Sequence, residues 1–390
     1  MKRLVSLLLL ACLLPINALA FQKGFGEYRM DHVNVRKSPG GDTLFQKQQG
    51  EEVYILEEKS QGGHLWYKVN TYDAARVNPR VGWVRADMII PPNTLFQNIV
   101  QIAAGSEHLI ALRRDGTAVY GGQQHKYPDM LQGTRPEGWQ DIQQVAAGFF
   151  SVYGLRRDGS LVRWGIRGPA EGTRGVQNAQ GSLVPFAAMD GQNDTFLGLM
   201  QDGSLYLFTG NQPTMLLPPG SQVRHFAAWW EIYGAGLAVI DGRIHGLTRS
   251  HEALFLTDHL QAKIASWKDV TQVVAGYRLP ARESASQEEG GAPLIAALTK
   301  EGKVYALDDA MARDTLGWTG IQKIESGDGF LAGLTQDGRV LCAGENKHKI
   351  AADTAPWQHI VDIACGDDFC AGVTQDGRLL FAGEASFSHH

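Results

Sequence analysis

The sequence contains a segment that recurs seven times, and such an internal repeat limits the possible folds to repeat architectures. Each copy starts with the pattern [VI]-A-x-G, passes through a loop into a hydrophobic run, and closes on an acidic residue followed by glycine. Between the closing glycines, the successive steps are 43, 44, 39, 60, 36 and 39 residues. Steps of this size suit one unit of about four short strands. The clearest copies start at Ile102, Val145, Ile324 and Ile363.

The acidic residue and glycine that close each copy predict a tight turn between two strands. Glycine accepts the positive φ that such a turn requires, and aspartate hydrogen-bonds to the nearby backbone. We therefore interpret the aspartates as turn residues, and we predict no metal site and no cofactor. The chain has 46 glycines, which favours an all-β fold with many turns. The seven pairs end at Gly116, Gly159, Gly203, Gly242, Gly302, Gly338 and Gly377.

The repeat resembles that of the regulator of chromosome condensation family over residues 95–390. The resemblance implies a seven-bladed β-propeller. Copies three to five are degenerate, and the family's W-G-x-N ending survives only in part, for example as Trp164-Gly165. The last copy ends one strand short of a blade, so we expect a spare strand over Gln97–Ala104 to pair with it. That pairing would close the ring and remove two exposed sheet edges.

Two other positions of the repeat predict packing. A small residue precedes the last leucine of the hydrophobic run, which suits strands crowded around a central axis. Tryptophan lies two or three residues before an apolar strand in four copies, and we assign these side chains to the core between neighbouring sheets. The small residues include Ala111, Gly154, Gly198, Ala297 and Gly333, and the tryptophans are Trp139, Trp267, Trp318 and Trp357.

Residues 28–90 show a different pattern of short strands. The segments V-N-V-R (33–36), W-Y-K-V (66–69) and G-W-V (82–84) are rich in β-branched and aromatic residues and are separated by turn residues. Their order resembles the bacterial Src-homology-3-like domain, with an insertion over 70–80. The resemblance implies a small barrel that targets a cell-wall component or a peptide. Residues 91–94 begin Pro91-Pro92, which predicts a stiff linker.

Four aromatic residues of this module are candidates for a binding groove. Amphipathic rings give a large contact area at low entropic cost, so such a groove would stack on an extended peptide or a sugar. At least two of the four must instead fill the small core of the barrel. The candidates are Tyr54, Trp66, Tyr67 and Trp83.

The first twenty residues predict a secretory signal. Lys2 and Arg3 precede an apolar run, and Ala18-Leu19-Ala20 predicts cleavage before Phe21. Two alternatives are a retained membrane anchor, which would be short for a bilayer, and lipid attachment at Cys12, since Leu9–Cys12 resembles a lipobox. Later segments are not apolar enough to span a membrane. We expect a periplasmic or extracellular monomer without a transmembrane segment.

The charge of the chain bears on its binding partners, and its cysteine count limits its disulfides. Cleavage would leave 34 basic and 41 acidic residues, a balance that does not favour nucleic acid. Three cysteines would remain, so at most one disulfide forms within the chain. Cys365 and Cys370 flank a loop, and either a disulfide between them or two buried thiols fits the sequence.

The degenerate copies predict a place for binding. Their loops after the first strand are the longest in the repeat, and because the copies are adjacent, these loops should form one raised ridge on one face. Trp229 and Trp230 replace the usual glycine there and are candidate anchors, unless they pack into a neighbouring sheet. The proposed ridge also includes Tyr233, Tyr277, Arg278 and Arg282.

These features favour a binding protein over an enzyme. We find no Ser/His/Asp arrangement and no histidine-rich metal spacing, so we predict no catalytic residues. The favoured function is an exported scaffold, with the barrel on a cell-wall component or peptide and the propeller face on a protein partner. One alternative is a secreted inhibitor or effector that binds another protein. An enzyme acting on cell-wall carbohydrate is an alternative from a different class.

Overall fold

The computed structural model describes residues 22–72, 79–122, 132–148, 151–166, 168–192, 195–229, 236–247, 258–278, 292–345 and 349–384. Within these residues the chain forms thirty β-strands, all paired antiparallel, and four short α-helices. The dominance of strands confirms the prediction of an all-β chain. The strands fall into one seven-stranded sheet and several sheets of three to five strands.

The first seven strands form what we call the N-terminal sheet. Its order is β3-β2-β6-β5-β4-β1-β7, and its own core is built from alternating inward residues such as Val33, Val35 and Val69. A 3-10 turn, Ala86–Met88, precedes its last strand. The strands are β1 (Gly24–Tyr28), β2 (Val33–Arg36), β3 (Thr43–Lys47), β4 (Glu52–Gln61), β5 (His64–Tyr72), β6 (Pro79–Arg85) and β7 (Ile89–Ile90).

The remaining strands form successive small sheets, which we call ring sheets 1 to 7 in chain order. Ring sheet 1 is β8 (Ile99–Ala104), β9 (His108–Arg113) and β10 (Ala118–Gly122), and ring sheet 2 is β11 (Ile142–Ala147), β12 (Ser151–Arg156) and β13 (Leu161–Gly165). Ring sheet 3 is β14 (Gly175–Gln177), β15 (Leu183–Gln192), β16 (Thr195–Met200), β17 (Leu205–Thr209) and β18 (Gln212–Leu217). Ring sheet 4 is β19 (His225–Ala228), β20 (Gly236–Ile240) and β21 (Arg243–Leu247).

Three more sheets complete the series. Ring sheet 5 is β22 (Val270–Arg278), β23 (Ala292–Thr299) and β24 (Val304–Ala306), and ring sheet 6 is β25 (Ile321–Ser326), β26 (Phe330–Thr335) and β27 (Val340–Gly344). Ring sheet 7 is β28 (Ile360–Cys365), β29 (Phe369–Thr374) and β30 (Leu379–Gly383). The helices are α1 (Pro92–Leu95), α2 (Asp258–Ser266), α3 (Asp309–Asp314) and α4 (Ile350–Thr354), with a 3-10 turn at Pro136–Gly138.

The ring sheets are arranged around a central cavity. Each sheet places its inner strand (β8, β11, β15, β19, β22, β25 or β28) against the inner strand of the next sheet, and β28 contacts β8. Such radial repetition of small sheets is the arrangement of a β-propeller. Outside the inner strands, short helices contact the outer strands of several sheets: α2 contacts β21, α3 contacts β24 and β27, and α4 contacts β27 and β30.

The expected mode of ring closure is wrong. The strand predicted over Gln97–Ala104 is β8, and it pairs with β9 inside its own sheet instead of completing the last copy. The ring closes through a backbone contact that recurs where ring sheet 1 meets 2, 4 meets 5, 5 meets 6 and 6 meets 7. In it, the first residue of an inner strand donates its N–H to the carbonyl of the turn glycine in the preceding sheet. Ile99 donates to Gly377, just as Ile142 donates to Gly116.

The predicted acidic turns are confirmed. Asp115 accepts hydrogen bonds from the backbone and the hydroxyl of Thr117, and Asp158 does the same for Ser160. These bonds lower the pKa of both exposed aspartates. The glycine that follows lies in the left-handed region, with φ of 84° at Gly116. The turns are therefore capped by their own side chains.

The four repeat tryptophans are buried, as predicted, but the small residues have a different reason from the one expected. A Cβ added at Gly333 would lie 2.6 Å from the Trp318 ring, and one at Gly372 would lie 2.7 Å from Trp357. The small residue therefore makes room for the tryptophan that precedes the same sheet. Crowding at the central axis is not the cause.

The N-terminal sheet packs directly on the ring, at the junction of ring sheets 1 and 7. Phe25 is 1% exposed and makes edge-to-face contacts with Tyr54, Phe369 and Phe381. The Tyr54 hydroxyl donates to the carbonyl of Gly383. The expected linker instead enters helix α1 at Pro92. We call the cluster around Phe25 the seam cluster, because it covers the place where the ring closes.

Candidate functional site

The first candidate site was the predicted ridge, and the structure removes Trp229 from it. This side chain is 0% exposed and packs in the core between ring sheets 4 and 5. Its indole N–H donates to the carbonyl of Gly276, 3.2 Å away. Trp229 is therefore a core residue, because the neighbouring sheet supplies both an apolar pocket and a hydrogen-bond acceptor for it.

The other ridge candidates are not described by side-chain contacts. Trp230, Tyr233 and Arg282 lie outside the described residues, while Tyr277 and Arg278 end strand β22 with their side chains undescribed. Strand β22 pairs with β23 as far as Arg278 opposite Ala292, three residues beyond the level at which most inner strands end. Ring sheet 5 therefore carries a longer inner hairpin than its regular neighbours.

The four aromatic groove candidates do not come together. Tyr54 is buried in the seam cluster, and Tyr67 packs against the inner core of the N-terminal sheet. Trp66 is 8% exposed, with its indole N–H bonded to the Gln61 carbonyl. Trp83 is half-buried. Since directly paired residues share a face, Trp66 and Trp83 lie on one face of the sheet and Tyr67 on the other.

A cavity of about 380 Å³ lies at the centre of the ring. Its wall is formed by the inner strands. In each of these strands the repeat begins with a large apolar residue, such as Ile102 in β8, and the residues next to it in the chain face the cavity in most sheets. The residue before that position is polar in six of the seven ring sheets. In order around the ring these residues are Gln101, Gln144, Ala188, His225, Gln272, Lys323 and Asp362, and all of them except Asp362 line the cavity.

The side chains at this position link each ring sheet to the next. Gln272 shows the pattern most fully, because its amide donates to the Ile324 carbonyl at 2.9 Å and accepts from the Ile324 N–H at 3.0 Å. In ring sheet 3, where the usual position holds Ala188, Asp190 takes over and accepts from the next sheet. The links join Gln101 to Val145, Gln144 to Met189, Asp190 to Ala228, His225 to Val273, Gln272 to Ile324, Lys323 to Ile363, and Asp362 to Ile102.

We call the seven side chains that make these links the clasp ring: Gln101, Gln144, Asp190, His225, Gln272, Lys323 and Asp362. Lys323 is its only cation. Its ammonium lies 2.6 Å from Asp362 and 3.0 Å from Glu325. Burial by itself lowers the pKa of Lys323, but these two carboxylates raise it above its usual value. Burial also lowers the pKa of His225 to about 4, so its neutral imidazole accepts the Val273 N–H at 3.5 Å.

The clasp ring decides what the cavity can do chemically. Each member bonds to backbone groups of the neighbouring sheet, so the fold holds these side chains in place. Such bonds between sheets make a stiff frame, since a buried polar group that loses its partner costs about 1 to 3 kcal/mol. Among the described residues no group of three or more His, Cys, Asp or Glu side chains is placed to hold a metal ion.

Two partly buried acids make stability depend on pH. Burial raises the pKa of Asp190 to about 7, and burial together with the carboxylates of Asp367 and Asp368 raises that of Glu107 to about 8. Each acid is protonated in the folded chain at pH values where it is ionised in the unfolded chain. The stability that each contributes is therefore complete below about pH 4 and is lost as pH rises through its folded pKa.

We expect Glu107→Gln to remove part of this dependence. Between pH 5 and 8 the wild type should lose roughly 3 kcal/mol of unfolding free energy relative to the variant, because the Glu107 carboxyl ionises in the unfolded chain but stays protonated in the folded one. Urea unfolding at four pH values measures the difference, with Glu345→Gln as a control in another loop. Parallel pH curves for wild type and Glu107→Gln would contradict the assignment.

The structure decides between a disulfide and two buried thiols, the alternatives that the sequence left open. Cys365 and Cys370 are direct partners on β28 and β29 and are joined by a disulfide. Cys342 is separate and half-buried.

In the part of the chain that the structure describes, no helix is both long and apolar enough to cross a bilayer. No protein-family model and no curated protein matches this sequence.

Solved structures with a similar arrangement exist at low sequence identity. The CRINKLY WD40 ectodomain of the Arabidopsis thaliana receptor kinase ACR4 is 14% identical, with a TM-score of 0.49, covering 73% of this chain and 98% of that one. The ectodomain of the Physcomitrella patens receptor kinase CR4 is also 14% identical, with a TM-score of 0.49, and the match covers 73% of this chain and 74% of that one. Prp20p of Saccharomyces cerevisiae is 13% identical, with a TM-score of 0.35, and the match covers 73% of this chain and 72% of that one. All three TM-scores are below 0.5, so the architecture stands on the contacts between sheets described above.

Proposed function

We propose that this chain is an exported, non-catalytic binding protein. In this proposal each ring sheet is one blade of a seven-bladed propeller of the regulator of chromosome condensation type, and the N-terminal sheet is a Src-homology-3-like module. The leader over residues 1–20 supports export, with cleavage before Phe21 or lipid attachment at Cys12 as its two forms.

The clasp ring is the observation that carries a binding role. It holds the inner strands together with side chains that bond to the backbone, so the ring is a fixed frame on which loops can vary without loss of the fold. The loops that vary belong to copies three to five, which are neighbours in the ring. We infer that this part of the ring binds a protein partner, and that the N-terminal sheet holds a cell-wall component or a peptide.

The seam cluster adds a geometric argument. Because Phe25 and Tyr54 are buried against the ring, the N-terminal sheet and the ring are held at a fixed mutual position. Two binding surfaces on one rigid body suit a scaffold that holds a partner at a defined distance from a surface, since little entropy is lost in linking them. Separate modules on a flexible linker would lack this property.

Retention of envelope proteins by the immobilised full chain tests the proposal. We expect chain expressed with its own leader to be recovered from the envelope with a processed N-terminus, and to retain at least one protein. Trp230→Ala with Tyr233→Ala should lower retention about tenfold or more, because aromatic anchors dominate interface energies. Val361→Ala, at an exposed apolar residue on β28 of ring sheet 7, lies outside copies three to five; it is the control and should retain the partner normally.

Three outcomes would overturn this proposal. They are an unprocessed chain confined to the cytoplasm, retention that is the same for wild type and the double variant, and hydrolysis of muropeptides by the purified chain. The last would establish the carbohydrate-acting enzyme instead. Trp229→Ala is unsuitable for this test, because the core between ring sheets 4 and 5 would lose a fully buried indole.

A further inference from the structure

One face of the N-terminal sheet collects basic side chains in register. Trp83 is the direct cross-strand partner of Lys68 on one side and of Arg36 on the other. Directly paired residues share a face of the sheet, so the indole lies between two cations. The adjacent row on the same face repeats the arrangement. It consists of Lys59, Trp66 and Arg85.

We call these six residues the basic face. At its inner end, towards the ring, the same face of the sheet continues to Asn70 and its partner Tyr54, which is buried in the seam cluster. Away from the ring, the cations are at the surface: Lys59 is exposed, and Lys68 and Arg85 are partly exposed. The basic face is therefore an accessible surface next to the ring.

The charge of this face is opposite to that of the whole chain. The full sequence has a formal net charge of −5, whereas this side of the sheet carries four cations and one carboxylate, that of Glu57 opposite Lys68. Two of them have acidic neighbours: Lys68 lies 3.0 Å from Glu57, and Arg85 lies 2.6 Å from Asp87. Both pairs are at the surface, where an ion pair contributes only about 0 to 1 kcal/mol. An incoming carboxylate can therefore replace Glu57 or Asp87 at little cost.

The two indoles of the basic face differ in exposure and therefore in role. Trp66 is almost fully buried and is fixed by its hydrogen bond to Gln61, so it supports the face from below. Trp83 is half-buried and presents part of its ring between Lys68 and Arg36. An indole flanked by cations offers contact area to a flat backbone and charge-assisted hydrogen bonds to carboxylates.

We propose that the basic face binds a carboxylate-bearing peptide chain. Three adjacent strands carry Lys68, Trp83 and Arg36, so the two cations are about 10 Å apart, which is the span of roughly three residues of extended chain. An extended peptide with acidic groups at that spacing would reach both cations while its backbone crosses Trp83. The proposal deepens the proposed function, on which it rests, by naming the class of ligand for the N-terminal sheet.

Binding of a defined acidic peptide to the purified full chain tests this. The probe is an eight-residue glutamate peptide, with an eight-residue glutamine peptide as the neutral comparison, measured by fluorescence anisotropy. We expect the glutamate peptide alone to bind, and raising the salt from about 50 mM to 500 mM to weaken it about tenfold or more. Arg36→Gln with Lys68→Gln and Arg85→Gln should weaken it about tenfold or more.

A control variant removes the same amount of charge elsewhere. Lys303→Gln with Arg313→Gln and Arg339→Gln changes three exposed cations of the ring and should leave binding within about twofold of wild type. Equal binding by both triple variants, or equal binding of the two peptides, would overturn the proposal. Trp83→Leu should weaken binding about threefold to tenfold, since it keeps an apolar side chain but removes the ring.

Two further arms separate the possible sources of the ligand. Retention of soluble stem peptides from cell wall, and loss of it in the basic-face variant, would identify the wall as the source, whereas retention of acidic protein segments alone would identify a protein. Trp230→Ala with Tyr233→Ala should keep glutamate binding. Loss of glutamate binding in wild type with the envelope partner still retained would refute the basic face and leave the proposed function standing.

Discussion

Deleting residues 377–390 is expected to leave no soluble folded chain. The deletion removes strand β30 and the carbonyl of Gly377, which accepts the N–H of Ile99 where the ring closes. It also removes Phe381 from the seam cluster and the Gly383 carbonyl that the Tyr54 hydroxyl contacts. The remaining open ring would expose the apolar edges of ring sheets 1 and 7 and the underside of the N-terminal sheet.

Size-exclusion chromatography and far-UV circular dichroism of the expressed proteins measure this result. The control deletes residues 385–390 alone, which follow the last described strand, and we expect that chain to remain soluble with an unchanged melting temperature. A monodisperse, cooperatively unfolding protein that lacks 377–390 would show that the ring does not depend on its last sheet. It would remove the closed ring from the description of the fold.

Phe25→Ala is expected to destabilise the ring as well as the N-terminal sheet. Phe25 is buried by Tyr54 at 5.0 Å, Phe369 at 5.5 Å and Phe381 at 5.7 Å between ring centroids. Removing such a side chain from a packed core costs about 3 to 5 kcal/mol. Because its neighbours belong to both parts, we expect a single unfolding transition that shifts as a whole.

Urea unfolding, followed by one probe in each part of the chain, checks this coupling. Phe45→Ala is the matched control, because Phe45 packs within the N-terminal sheet and is only partly buried. We expect it to cost less than Phe25→Ala. A double-mutant cycle with Phe381→Ala should show a coupling energy of about 0.5 to 3 kcal/mol. Two separate transitions, with Phe25→Ala moving only one of them, would show that the parts are independent.

Local features of the fold were accessible from the sequence. The spacing of the acidic turns placed the hairpins, and the side chains of Asp115 and Asp158 cap them as predicted. The four repeat tryptophans were correctly assigned to the core. These predictions depend on the chemistry of a few neighbouring residues, so one copy of the repeat carries enough information to make them.

The sequence contains a pattern that indicates the clasp ring, although the sequence predictions above do not use it. The residue before each [VI] position is polar in six of seven copies, although it lies inside an apolar strand. A polar residue at a fixed position of a buried strand indicates a hydrogen bond to a neighbouring element. The sequence does not show that the partner is the backbone of the next sheet, because that neighbour is defined only once the ring has formed.

The residues predicted for binding show where sequence reasoning ends. Trp229 and Tyr54 were chosen because aromatic side chains in exposed loops or grooves make good anchors, yet both are buried. Their burial depends on an adjacent sheet and on the docking of the N-terminal sheet on the ring, which bring together residues far apart in the chain. The basic face depends likewise on the register between β2, β5 and β6.

That the chain is a repeat of short strands joined by tight turns follows from its local amino-acid pattern, because turn chemistry and strand periodicity act over a few residues. How the ring closes depends instead on contacts between residues that are far apart in the chain. Closure uses the Gly377 carbonyl, the clasp from Asp362 to Ile102 and the aromatic side chains of the N-terminal sheet, and these groups meet only after every sheet is in place. The physical reason is that surfaces distant in sequence select which side chains are buried and which remain available for a partner.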